Sequence, residues 1–227
     1  MYYYGGYDMG YLLIALIATV LGAITQAYIR RAYSKWSAVD ASFGGTGADV
    51  AKNMLAHAGV SDVGFARIDG TLTDHYDPRD NTLHLSEDNS YGGSVASVAV
   101  ACHEAGHAIQ HAQHYSPVQI RTALVPVVNL TQGTWSLVFF AGIMLQLTGL
   151  VQLALILFAA SVLFQLVTLP VEFDASRRAL VYLSEEGHEI DQKGAKEVLT
   201  AAALTYVAAA LMSVLQLLYL TSRTRRR

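Results

Sequence analysis

Residues 122–171 read TALVPVVNLTQGTWSLVFFAGIMLQLTGLVQLALILFAASVLFQLVTLPV, 50 positions without one Asp, Glu, Lys or Arg. A helix that crosses about 30 Å of hydrocarbon needs about 20 apolar residues. The stretch is too long for one span and fits two, paired as a hairpin. Gly149, lying between Gln146 and Gln152, sets the turn near Leu147 to Gln152, and Pro126 and Pro170 mark the hairpin's ends. The alternative is a buried hairpin of a soluble protein, but helices apolar on every side for this length are rare in water. The sequon Asn129-Leu130-Thr131 lies inside the apolar stretch and carries no weight there.

Two more charge-free stretches flank this one, Met9 to Ile29 and Val198 to Leu220. Together the three account for the composition: 53% of the 227 residues are hydrophobic and 15% charged, against about 25% charged in a soluble domain. Residues 10–29 fit a first transmembrane helix. They have no basic segment before them and no small-residue cleavage site, so a cleaved signal peptide is the weaker reading. Arg30 and Arg31 then stop the span at the membrane edge. Tyr2 to Tyr4, Tyr7 and Tyr11 resemble an interfacial aromatic belt. Residues 198–220 form the fourth span, with alanines suited to close helix packing.

The expected organisation is therefore mainly α: transmembrane helix 1 at 10–29, a small α+β domain at 30–121, a transmembrane hairpin at 124–169, a further segment at 171–197, and transmembrane helix 4 at 198–220. Four spans put 30–121 and 171–197 on one side. Eleven of the 15 Lys and Arg residues lie in those segments, which argues for the cytoplasm. The four arginines of the tail fall outside, against that rule. The tail, Arg223-Thr224-Arg225-Arg226-Arg227, reads as a membrane-edge anchor. With a net charge of -3 and no basic face of useful size, nucleic acid is not an expected partner. A lone Cys102 excludes an internal disulfide framework.

Within 30–121, Thr46-Gly47-Ala48-Asp49 resembles a capping box with Asp in place of Glu. A helix follows to about residue 57, with apolar Val50, Ala51, Met54 and Leu55 in register, and Gly59 ends it. Val63 to Ile68 reads as a short strand, Asp69-Gly70 and Asp77 to Asn81 as turns, and Thr82 to Ser86 as an alternating strand. Ser94 caps a long helix reaching about His114. Thr82, Leu83, His84 and Leu85 are the candidate edge strand for pairing with an extended peptide; an ordinary sheet strand is the alternative.

The long helix carries His103-Glu104-Ala105-Gly106-His107. Histidines at i and i+4 share a helix face and can bind one metal, and the glutamate between them is placed to take a proton from a zinc-bound water. His103 and His107 are thus the candidate ligands and Glu104 the catalytic base. A catalytic zinc, one per chain, needs a third protein ligand. Gln110 and Gln113 stand where the extended metzincin pattern requires Gly and His. His111 lies two turns from His103, about 12 Å along the axis, and Cys102 points about 100° away around the helix. Glu172 is the favoured third ligand, because two spans return the chain to the side it left; Glu185 and Glu189 are its rivals. Ser176, one turn on, is a candidate hydrogen-bond partner of a ligand. Arg177 and Arg178 are oxyanion candidates or membrane-edge anchors. His75 and Asp77 could border the cleft.

Four segments now carry a family resemblance: Asp74-His75-Tyr76-Asp77-Pro78-Arg79, Leu85-Ser86-Glu87-Asp88-Asn89, the His-Glu helix, and Leu169-Pro170-Val171-Glu172-Phe173-Asp174-Ala175-Ser176. Over nearly the whole chain the sequence resembles the YugP-like family, bacterial membrane proteins described as neutral zinc metallopeptidases. More distantly it is similar to HtpX and the CAAX prenyl proteases, whose metal-binding Glu is typically followed four residues on by Asp; here that position is Ser176. The resemblance implies a zincin-like (gluzincin) domain, zinc, peptide hydrolysis and a multi-pass protein of the bacterial plasma membrane. It implies no particular substrate. Membrane or membrane-proximal proteins and peptides are the expected substrates. A non-proteolytic scaffold or regulator that keeps the zinc site and acts through a membrane partner is the second reading. A metal transporter needs ionisable ligands within its spans, and these spans have none.

Overall fold

The computed structural model describes residues 9–225. The belt tyrosines Tyr2 to Tyr4 and Tyr7, and the terminal Arg226 and Arg227, lie outside the described residues. Seven helices and three strands follow in the order α1 (Met9–Ser37), α2 (Gly47–His57), β1 (Gly64–Ile68), β2 (His75–Asp77), β3 (Thr82–Ser86), α3 (Glu87–Tyr91), α4 (Val95–Ala112), α5 (Ser116–Met144), α6 (Thr148–Glu186) and α7 (Glu189–Arg225). They divide into two compact units, one of residues 9–25, 120–168 and 205–225, the other of 26–119 and 169–204. Helices α1, α5, α6 and α7 contribute residues to both.

The first unit is made of apolar helix. All four of its contributing helices are long and apolar enough to cross a membrane. Large apolar side chains such as Leu16, Leu137, Phe140, Ile156 and Leu218 stand on the outside, an arrangement suited to lipid and costly in water. Trp135 stacks on Phe158 at 4.4 Å between ring centres, beside a cluster of Leu155, Val162 and Leu220. Polar pairs tie helices where no water competes: Ser213 donates to Gln165 Oε1 at 3.0 Å and Gln216 Nε2 to Tyr11 Oη at 2.9 Å. At the hairpin, Gln146 takes a φ of 55° and Leu147 N–H returns to the Gly142 carbonyl at 2.9 Å. This is a Schellman end with glutamine in the left-handed position usually given to glycine. The turn thus occupies 145–147, just ahead of Gly149.

Two expectations about the hairpin are corrected. Pro126 lies inside α5, and Pro170 inside α6; neither marks a helix end. A proline removes one ladder hydrogen bond and crowds the preceding turn, yet α6 runs unbroken from Thr148 to Glu186. Residues 171–197 are continuous in helix with the apolar stretches on either side and group with 26–119. They are the end of α6 and the start of α7, joined at 187–188.

The second unit packs α2 and α4 against one another and over a three-stranded sheet. Thr46 caps α2 through the reciprocal box with Asp49, and Ser94 Oγ caps α4 by accepting from Ser97 N–H. Val50, Ala51, Met54 and Leu55 meet Val98, Ala101, Cys102 and Ala105 in a core closed by Leu83 and Leu85. The strand order is β1-β3-β2, with β3 parallel to β1 and antiparallel to β2. Both sides of β3 are thus paired, and the expectation that Thr82, Leu83, His84 and Leu85 form an open edge is corrected. Leu83 and Leu85 are buried, so their alternation records a strand half-buried at the sheet's centre. The edge on that side is β2, three residues long and polar, with too little pattern to announce a strand.

Candidate metal centre

On the side of α4 that faces α6, a single glycine controls how near α6 can come. A Cβ added to Gly106 would lie 2.7 Å from the Ala175 carbonyl oxygen, closer than packing permits. Glycine in the fourth place of His103-Glu104-Ala105-Gly106-His107 therefore lets the two backbones approach, and Glu172 on α6 comes opposite the two histidines. Gly106→Ala should push α6 outward and misplace Glu172. The expected cost is about 1–3 kcal/mol of stability, as for other overpacked cores, together with weakened zinc uptake measured by competition with a coloured chelator. Gly133→Ala, in α5 where the new methyl meets nothing within 4 Å beyond its own helix backbone and chain neighbours, should not lower stability and should leave zinc uptake unchanged.

His103 and His107 lie on one face of α4 with ring centres 4.7 Å apart. Their Nε2 atoms are 3.3 Å and 3.5 Å from Glu172 Oε2. Ligands about 2.0–2.1 Å from a tetrahedral zinc lie roughly 3.3–3.4 Å from one another, so the spacing suits one small cation. Glu172 is buried, at 3% exposure, and its Oε2 has no hydrogen-bond partner. A buried carboxylate oxygen left in that state is costly, and a cation among the three donors removes the cost. The far sides of both rings are occupied: His103 Nδ1 lies 3.1 Å from Ser176 Oγ and His107 Nδ1 lies 3.1 Å from Gln110 Oε1. Two imidazoles and one carboxylate, each ring held by an outer partner, form a donor set zinc commonly takes when one position stays open. Among the described residues these three are the one group that could hold a metal ion.

Glu104 is buried beside this group and accepts a hydrogen bond from the Tyr76 N–H of β2 at 3.0 Å. Burial pushes its carboxyl up to about 8, with Glu172 and Asp74 adding to the rise and His103 opposing it. A dication beside it works the other way, favouring the charged form. Cys102, next to His103, is buried in the α2–α4 core, where burial pushes its thiol up; it faces away from the metal donors.

The other candidates divide. Ser176 reaches His103, as described. Arg178 is turned from the metal: its Nε donates to Asp174 Oδ2 at 2.5 Å and its Nη1 to Gln113 Oε1 at 2.7 Å. Arg177 and Glu185 line a cavity of about 400 Å³ with Met54, His57, Ile109 and Tyr182. Glu189 sits in the first turn of α7. Neither rival glutamate joins the metal donors. His111 is exposed, 6.0 Å from the Tyr76 ring. His75 stacks on His84 at 4.9 Å, and Asp77 pairs with Arg79. Three contributors had no reading as site residues in the sequence: Gly106, Tyr76 and Gln110. Only Gln110 carried a signal, its place three residues beyond His107 on the same helix face.

Residues 11–225 match the family described as "Putative neutral zinc metallopeptidase". The chain belongs to this family. A curated member-like relative is the "Putative membrane protease YugP" of Bacillus subtilis (strain 168), 43% identical over 212 residues, which cover 92% of this chain and 94% of that protein. No solved structure matches the chain. As a member of the zinc metallopeptidase family with four membrane-length apolar helices, it is a membrane protein whose His103, His107 and Glu172 could bind the metal.

Proposed function

We propose that this chain is a multi-pass zinc metalloendopeptidase of the bacterial plasma membrane, holding one zinc through His103, His107 and Glu172 and using Glu104 as general base. The observation that carries the reading is the buried Glu172 Oε2, without a hydrogen bond and opposite two imidazole Nε2 atoms, with Glu104 next to His103 on α4. Zinc bound there would supply a Lewis acid that acidifies a water and polarises the scissile carbonyl. Glu104 would take the proton of that water and pass it to the departing amine nitrogen. Burial raises the proton affinity of its carboxylate, which suits taking the proton from the water, and the resulting carboxylic acid is still acidic enough to protonate the departing amine nitrogen. The short strand β2 offers the sheet's outer side to an extended peptide, and the Tyr76 N–H ties that strand to Glu104. The expected substrates are membrane or membrane-proximal proteins and peptides. If a regulatory membrane partner acts on the protein, an intact base beside both histidines still favours catalysis over a purely scaffolding role.

The test is metal removal. Purified protein in detergent should cleave an unstructured reporter polypeptide, lose that activity when treated with a zinc chelator, and regain it when about one equivalent of zinc is returned. Activity indifferent to chelation and zinc would remove the metal from the mechanism.

The catalytic residues are proposed to lie on the cytoplasmic side, supported by the cationic residues of 30–121 and 171–197. With Cys102→Ser as background, cysteines at Lys52 and Lys193 should resist an impermeant thiol reagent in intact cells and react after lysis. Labelling of either from outside would reverse the orientation.

A further inference from the structure

Gln110 is fully buried, 0% exposed, on the face of α4 turned to α6. An amide buried there must have its donors and acceptor satisfied, and its surroundings allow one orientation. Its Nε2 lies 2.8 Å from the Val171 carbonyl oxygen and 2.9 Å from Asp174 Oδ2. Both are acceptors, a carbonyl and a carboxylate, so the NH₂ group must occupy that side. Its Oε1 then faces His107 Nδ1 at 3.1 Å. A carbonyl oxygen can only accept. His107 Nδ1 must therefore carry the hydrogen, and in the neutral ring Nε2 is left with its lone pair on the Glu172 side.

The second ligand position differs. His103 Nδ1 meets the Ser176 hydroxyl, which can donate or accept. That contact sets where the ring sits without setting which nitrogen holds the proton. The contrast runs further outward on the His107 side. Asp174 Oδ2 accepts from Gln110 and also from Arg178 Nε, and Arg178 Nη1 is itself anchored on Gln113 Oε1. Arg178 also lies 5.9 Å from the Tyr115 ring centre.

We propose that Gln110 is a positioning residue that locks His107 in its metal-binding tautomer, and that Asp174, held by Arg178, locks Gln110. This deepens the proposed zinc reading and rests on it. Gln113 and Gln110, the two residues that exclude the metzincin pattern, then have a shared role: one anchors the arginine, the other delivers the arrangement to the ligand. Arg178 acts on the metal side only through Asp174 and Gln110.

The test uses full-length protein, with zinc and cobalt as probes. Gln110→Met keeps the side chain's length and bulk but replaces the carbonyl that faces His107 with at most a weak thioether acceptor. Its zinc affinity, measured by chelator competition, should fall about 10–100-fold, as for outer partners of metal-bound histidines. The visible bands of the cobalt-substituted protein should shift or weaken, because one imidazole is no longer held in register. Asp174→Asn leaves Gln110 in place but weakens what fixes its amide, and should give a smaller loss in the same direction. It carries the test if Gln110→Met lowers the melting temperature of the metal-free protein. Zinc affinity within about twofold of wild type and an unchanged cobalt spectrum in both variants would overturn the proposal while leaving the metal site standing. Wild-type protein that takes up neither metal would refute the zinc reading first, and this one with it.

Discussion

Glu172→Gln should abolish tight zinc binding while leaving the fold intact. The substitution keeps the shape of the side chain and removes its charge. Among the described residues Glu172 is the one anionic member of the group with His103 and His107, so its loss should exceed the roughly 10–100-fold penalty of losing an outer partner. The sign of the stability change separates this account from a structural role. A ligand that binds only the folded state raises its melting temperature by mass action, so added zinc should stabilise wild type and have little effect on Glu172→Gln. The metal-free variant should melt close to metal-free wild type, because the amide fills the same space beside the two imidazoles. A large loss of stability in the metal-free variant would instead make Glu172 a structural residue.

Glu104→Gln should do the reverse: zinc stays and turnover goes. The amide can still accept from the Tyr76 N–H, which now holds Glu104 Oε2 at 3.0 Å, so the β2 contact survives. It cannot accept a proton from water. General bases of this kind contribute about 10²–10⁴-fold, and the loss should appear in kcat on a peptide substrate, with zinc content unchanged by metal analysis. Turnover near the wild-type rate would take Glu104 out of the chemistry.

Much of this was legible in the sequence because the signals were local or forced by the membrane. Charge-free runs disclosed the apolar helices, the i and i+4 histidines disclosed one helix face, and Thr46 with Asp49, and Ser94, disclosed two helix starts. Glu172 could be paired with the motif because two spans must return the chain to the same side. What escaped depended on contacts between distant residues. Whether β3 is central or at the edge depends on β2, and His75-Tyr76-Asp77 is too short and polar to show as a strand. Proline's helix-breaking tendency placed a helix end at Pro170, whereas the surrounding apolar helix absorbs the lost hydrogen bond and α6 continues. Gly106 carried no reading of its own in the sequence; its role depends on the Ala175 carbonyl opposite it. Gln110 served in the sequence only to exclude the metzincin pattern; its contacts with Val171, Asp174 and His107 come from the fold.

The central claim is that one zinc is held by two imidazoles and one carboxylate contributed by α4 and α6. X-ray absorption at the zinc edge of the purified full-length protein tests it most directly. The account predicts about one zinc per chain in a shell of nitrogen and oxygen donors at about 2.0–2.2 Å, with the multiple-scattering signature of two imidazoles, and loss of that bound zinc in Glu172→Gln. A sulfur scatterer at about 2.3 Å, a third imidazole, or an unaltered spectrum in Glu172→Gln would contradict it.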